Sequence, residues 1–194
     1  MNTIICLLSL VILAQAVYIQ ALQRSPMGVL TPTALRLRLA LYSVLRVRCF
    51  VVGLDIRKMK SLNTVLGYSN SNAIIGKFIS GTRRYSDIVG QYGGDEFVIC
   101  GRGNADKLVQ RLYAMRDDIN ASLPNETREK LSIHTDGLID GLHLAICTIH
   151  ETDNAIFSAK RAIDATEPLK SGGRQTGNRD TSGRPGTLIV ELHD

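Results

Sequence analysis

The chain has 194 residues, no tryptophan, four cysteines and a formal net charge of +5 at pH 7, enough for one domain of ordinary size plus an additional element. The cysteines (6, 49, 100, 147) and histidines (134, 143, 150, 193) have neither the spacing of a zinc site nor that of a disulfide framework, and read as buried thiols and incidental imidazoles. Lys and Arg are spread from Arg24 to Arg184, which suits phosphate ligands or a membrane surface and argues against a nucleic-acid track.

Residues 4–22 are uncharged, apolar and about long enough to cross a bilayer. Basic residues lie only after them, at Arg24, Arg36, Arg38, Arg46 and Arg48. The expectation is a single-pass anchor over 1–24, with a domain over 25–194 on the cytoplasmic side of the inner membrane. Two alternatives stay open. Ala14-Gln15-Ala16 resembles a signal-peptidase site, although no charged leading region precedes it, and the run also suits a buried soluble helix. The glycosylation sequons at Asn120 and Asn125 would matter only after export.

Breaker residues over 25–32 mark a junction, and 33–47 repeat Leu, Ala and Arg with the period of an amphipathic helix with a basic face. The apolar run 49–54 predicts a buried central strand that delivers Asp55 at its C-terminal end. Ligand sites in α/β sheets gather at such ends, and the helix beginning near 56 offers free N–H groups to phosphate. A second helix is expected over 71–82. Then comes Tyr92-Gly93-Gly94-Asp95-Glu96-Phe97 between strand-forming runs at 86–91 and 97–100, a hairpin with charge at its tip. Its glycines are expected to take backbone angles other residues resist, and to let a ligand approach the main chain. A helix over 104–122, strands at 130–135 and 142–150, a helix over 152–166, a Gly- and Ser-rich loop over 171–186 and a strand over 187–192 complete the order. The class is α+β, a mostly antiparallel sheet carrying helices on its faces and preceded by one hydrophobic helix.

An Asp-Glu pair on a hairpin is ordinarily a solvated turn. A third carboxylate at a neighbouring strand end changes that reading, because converging carboxylates repel and a divalent cation relieves them. Mg²⁺ prefers hard oxygens and keeps part of its shell for water and phosphate, so two side-chain carboxylates from among Asp55, Asp95 and Glu96, with a main-chain carbonyl, are a suitable set. Lys60 would bring a cation to the same polyphosphate. The chemistry that follows is metal-assisted transfer at phosphorus.

Asp55-x-x-x-x-Lys60-x-x-Asn63-x-x-x-Gly67, Arg84-x-x-Asp87, Gly93-Gly94-Asp95-Glu96-Phe97 and Lys170-Ser171-Gly172-Gly173-Arg174 together resemble the GGDEF family of diguanylate cyclases. The likeness runs over about 25–192 and is strongest over 51–100. It implies the palm-like, ferredoxin-related sandwich of nucleotide cyclases, and a homodimer in which two GTP-loaded protomers face each other to make cyclic di-GMP and pyrophosphate. By position, Asp55, the Ile56 carbonyl and Asp95 would hold Mg²⁺ or Mn²⁺, with Glu96 beside them and Asp95 also helping to deprotonate the attacking 3′-hydroxyl. Lys60, Lys170 and Arg174 would grip the triphosphate, the turn of Gly93 and Gly94 would admit it, and Asn63 would read guanine. Arg84 and Asp87 stand where many members carry an inhibitory product site; a structural surface pair is the alternative. For 170–174 the alternative is a basic loop.

The chain also departs from the family pattern. Ser25-Pro26-Met27-Gly28-Val29-Leu30 replaces the usual opening signature, and Arg57, Thr64, Tyr68 and Gln91 each stand where another residue is common. Asn72 occupies the position of an Asp that accepts from guanine, and an amide, with one acceptor oxygen and a donor NH₂, cannot accept from both guanine donors. Either affinity for GTP drops or adenine becomes tolerable, and two function classes result: a membrane-anchored cyclase making cyclic di-GMP or a related cyclic dinucleotide, or a non-catalytic receptor for cyclic di-GMP or GTP, or partner-binding module, built on a degenerate domain.

Overall fold

The computed structural model describes residues 6, 9, 14–17, 19, 23–137, 140–170 and 187–192, without the side chains of 167–170 and 187–192. Strand β1, Cys49–Ile56, lies at its centre with every residue buried, which is why it reads as a continuous apolar run. The hairpin strands β2, Ile88–Gln91, and β3, Glu96–Gly101, stack on one side of it; β4, Leu144–Thr152, and β5, Thr187–Leu192, stack on the other. The order is β2-β3-β1-β4-β5, antiparallel except for the parallel β4–β5 pair.

Among the described residues, six helices flank the sheet: α1 Pro32–Val44, α2 Met59–Leu66, α3 Tyr68–Ser80, α4 Ala105–Ser122, α5 Asn125–His134 and α6 Ala155–Lys170, with a 3-10 turn at Gly81–Arg84. The strand alternation sorts them. Phe50, Val52, Leu54 and Ile56 of β1 face Ile75 and Phe78 of α3, Leu108 and Leu112 of α4 and Leu131 of α5. Cys49 and Val51, with Val98 and Cys100 of β3, face Leu35 and Leu39 of α1 and Ala159 and Ala162 of α6. At Gly53 the sheet and α6 touch backbone to backbone: a Cβ there would lie 2.7 Å from the Ala162 carbonyl carbon.

Local chemistry sets the helix ends. The Thr31 hydroxyl accepts from the Ala34 amide, and Pro32 follows in the first turn. The Asn104 side chain accepts from the amides of Asp106 and Lys107 at the start of α4. Before α1, Leu30 lies along the outer edge of β2, its amide donating to the Val89 carbonyl at 3.1 Å and its carbonyl accepting from Gln91 at 2.9 Å.

The strand expected at 130–135 is instead α5. Pro124 precedes this helix, Glu126 and Lys130 pair across one turn at 2.6 Å, and Leu131 is its one buried residue while Ile133 is 71 % exposed. The other strands and helices after residue 32 fall where the pattern puts them, with α3 beginning at Tyr68 and α6 reaching Lys170; the loop expected over 171–186 lies outside the described residues. Among the described residues no helix is long and apolar enough to cross a membrane, and most of the expected anchor, 4–22, lies outside them.

Candidate functional site

β1 ends on Asp55 and Ile56 where β3 begins, and the antiparallel register sets Asp55 directly across from Glu96. The Ile56 amide donates to the Asp95 carbonyl at 3.2 Å. That makes 55/96 the adjacent non-hydrogen-bonded pair, whose Cα atoms stand about 4.5 Å apart with both side chains on one face. Asp55 and Glu96, from distant parts of the chain, thus stand side by side at one end of the strand pair. The nearest cross-strand partner of Asp55 is Glu96, while Asp95 stands opposite Ile56. Asp55 is 1 % exposed, and a carboxylate so far from water is retained only where positive charge or donors balance it.

The hairpin tip is closed by its own backbone. The amides of Tyr92 and Gly93 donate to the Glu96 carbonyl at 2.8 and 3.4 Å, and the Gln91 side-chain amide donates to the Gly94 carbonyl at 2.8 Å. Neither Gly93 nor Gly94 has a positive φ, contrary to the sequence expectation. A Cβ at Gly93 would meet the end of the Glu96 side chain, which can turn aside, whereas one at Gly94 would meet nothing within 4 Å.

Lys58, left-handed at φ 54°, turns the chain from β1 into α2. Lys60 is exposed on that helix. Asn63, on the same helix, buries a side-chain oxygen that accepts no hydrogen bond among the described residues. Gly67 at φ 79° joins α2 to α3, where Asn72 is half-buried. Asn63 and Asn72 thus lie on two consecutive helices that follow β1. Helix α6 follows β4 and runs back along β1, crossing Gly53 at Ala162 and reaching Lys170 at the Asp55 end of the sheet. The Lys170 side chain and all of Arg174 lie outside the described residues.

Arg84 and Asp87 are placed on another edge, around the 3-10 turn before β2. A guanidinium that sequence reading did not locate holds Asp87: Arg102 Nε and Nη2 donate to its two oxygens at 2.9 and 3.4 Å. The signal was available, since Asp87 immediately precedes β2 and Arg102 immediately follows β3, so hairpin counting brings them together. Arg83, Arg84, Arg102 and Lys107 line a cavity of about 350 Å³ there.

Among the described residues no group of three His, Cys, Asp or Glu could hold a metal ion. The acidic corner pairs two carboxylates, Asp55 and Glu96, near main-chain carbonyls and without a nitrogen or sulfur ligand; hard oxygen donors of this kind suit Mg²⁺ or Mn²⁺ better than Zn²⁺.

The arrangement is similar to that of several solved structures. The coiled coil and GGDEF domain of DgcB from Caulobacter crescentus, in complex with c-di-GMP, aligns with TM-score 0.60 at 16 % identity over 97 % of this chain and 96 % of that one. The fold is that of GGDEF domains. The FimX GGDEF domain from Pseudomonas aeruginosa aligns with TM-score 0.55 at 12 % identity, over 87 % of this chain and 98 % of that one. The diguanylate cyclase SiaD from Pseudomonas aeruginosa, solved with its activator SiaC, aligns with TM-score 0.55 at 13 % identity, over 97 % and 70 % of the two chains. No family model matches the chain, and no curated protein matches its sequence. The GGDEF fold is therefore carried by a sequence far from its structural neighbours.

Proposed function

We propose that this chain is a nucleotide cyclase that condenses two GTP molecules into cyclic di-GMP and pyrophosphate, two protomers each presenting one nucleotide. The observation that supports the reading is the register that seats Asp55 across from Glu96 at the end of the central strand pair. Asp55, Asp95 and the Ile56 carbonyl would hold Mg²⁺ or Mn²⁺, which supplies charge neutralisation at the phosphates. Asp95 accepts the proton of the attacking 3′-hydroxyl; a new oxygen–phosphorus bond forms at the α-phosphate as the bond to pyrophosphate breaks. Lys60, Lys170 and Arg174 bear on the triphosphate and oppose the charge that accumulates on it. The unsatisfied Asn63 oxygen accepts from the base. Asn72 loosens the preference for guanine and admits ATP as a second substrate. The run 4–22 holds the enzyme at the inner membrane, with the domain in the cytoplasm.

The test is incubation of the purified protein with Mg²⁺ and GTP, or GTP with ATP. The expected result is a cyclic dinucleotide whose formation falls by about 10²-fold or more in Asp95→Ala. The arginine-lined cavity beside Asp87 favours a second reading, a receptor for cyclic di-GMP that uses Arg84 and Asp87. Tight binding of cyclic di-GMP without turnover of any nucleotide mixture would select it.

A further inference from the structure

Helix α1 is apolar on two sides. Ala34, Leu35 and Leu39 face the sheet and are buried. Leu37, Ala40, Leu41 and Val44, at i, i+3, i+4 and i+7, form a second stripe pointing away from it. On that stripe Leu41 is 52 % and Val44 79 % exposed. Leu45 continues it past the helix end, and the first turn of α6 adds exposed Ile156 and Phe157, held alongside by a hydrogen bond from the Ile156 amide to the Ser43 hydroxyl at 3.0 Å. A contiguous apolar patch of this kind marks an interaction surface.

Charge identifies the partner. Residues 1–54 contain five arginines and no Asp or Glu. Arg36 and Arg38 flank the stripe on its two sides, Arg46 and Arg48 follow its end, and Arg161 lies over the Phe157 ring at 5.9 Å from its centre. Of the carboxylates near its border, Glu151 and Asp164 are paired with Arg48 and Lys160, and Asp153 is exposed at the start of α6, so the arginines outnumber the carboxylates that face them. Two copies joined through this face would set arginine against arginine. A bilayer with anionic headgroups offers an apolar layer beneath a sheet of negative charge, and matches both features at once.

We propose that the outward face of α1, together with Ile156 and Phe157, docks on an anionic phospholipid surface, its apolar side chains at the acyl boundary and its arginines among the headgroup phosphates. The residues of this surface are other than those of the run at 4–22, and the proposal does not rest on the cyclase reading.

Full-length protein carrying Cys6→Ser keeps only buried cysteines, so a polarity-sensitive fluorophore can be attached at Val44→Cys. On vesicles of phosphatidylcholine and phosphatidylglycerol its emission is expected to shift to the blue, rise about threefold and be quenched by nitroxide-bearing lipid, as for a side chain at the acyl boundary. The same label at Ile133→Cys, exposed on α5 across the sheet, is expected to stay in water even if 4–22 tethers the chain. Adding Leu41→Glu and Phe157→Glu is expected to abolish the response at position 44. Three results would each overturn the proposal: no response at position 44, an equal response on phosphatidylcholine alone, or a lipid-free response that grows with protein concentration, which would indicate a second copy.

Discussion

Gly53→Ala tests the contact that seats α6 against the sheet. The added Cβ would lie 2.7, 2.8 and 2.9 Å from the carbonyl carbon, carbonyl oxygen and Cβ of Ala162. Ordinary carbon contacts are about 3.5–4.0 Å, so strand and helix must separate by about 1 Å along a face that is otherwise closed. Two of the three atoms are backbone and cannot rotate aside. Overpacking of this kind costs about 1–3 kcal/mol, and for a chain of this length each kcal/mol moves the melting temperature by about 2–4 °C. A loss of about 4–8 °C is therefore expected in a thermal melt followed by circular dichroism, for a cost of about 2 kcal/mol. Gly94→Ala is the control: nothing lies within 4 Å of its Cβ and its φ is ordinary, so its melt should match the parent within about 2 °C. Ala162→Gly should fail to rescue Gly53→Ala, because the backbone clash remains. Equal melts for Gly53→Ala and the parent, or equal losses for the two glycine variants, would refute the packing argument.

Two further outcomes follow from side-chain surroundings. Burial lowers the pKa of the His143 imidazole; Asp140 opposes this, and Arg57 and Arg116 add to it. The stability supplied by the neutral ring is complete above its unfolded value of about 6.5 and is lost as pH falls through the lower folded value. Urea midpoints taken from about pH 7 to pH 5 should fall less steeply in His143→Gln, and parallel curves would exclude this source. For the cyclase reading, Asn72→Asp restores a second acceptor toward guanine and should raise the GTP-over-ATP ratio of kcat/KM by about tenfold or more; an unchanged ratio would remove Asn72 from base recognition.

The sheet centre was legible because a strand buried on both faces leaves an uninterrupted apolar run, and the hairpin because its two runs are separated by glycines. Helix α5 was not: Leu131, Ser132 and Ile133 alternate as a strand would, and the features that decide for helix are a preceding proline and a surface ion pair, both weak signals in isolation. In the site, the convergence of Asp55 with the hairpin carboxylates could be argued from strand ends. The choice of Glu96 as the residue opposite Asp55 depends on register, which a sequence without its partner strand does not state. The reason for Gly53 was hidden for the same cause, since it makes room for the Ala162 backbone, which arrives by tertiary contact.

Leu30 satisfies the outward-facing Val89 carbonyl and Gln91 amide of β2, so the border strand of the hairpin has little left to offer a visiting chain. Molecules meeting on that side must hold each other through side chains or a shared small molecule. Such an encounter can form and dissolve without either partner lending a strand.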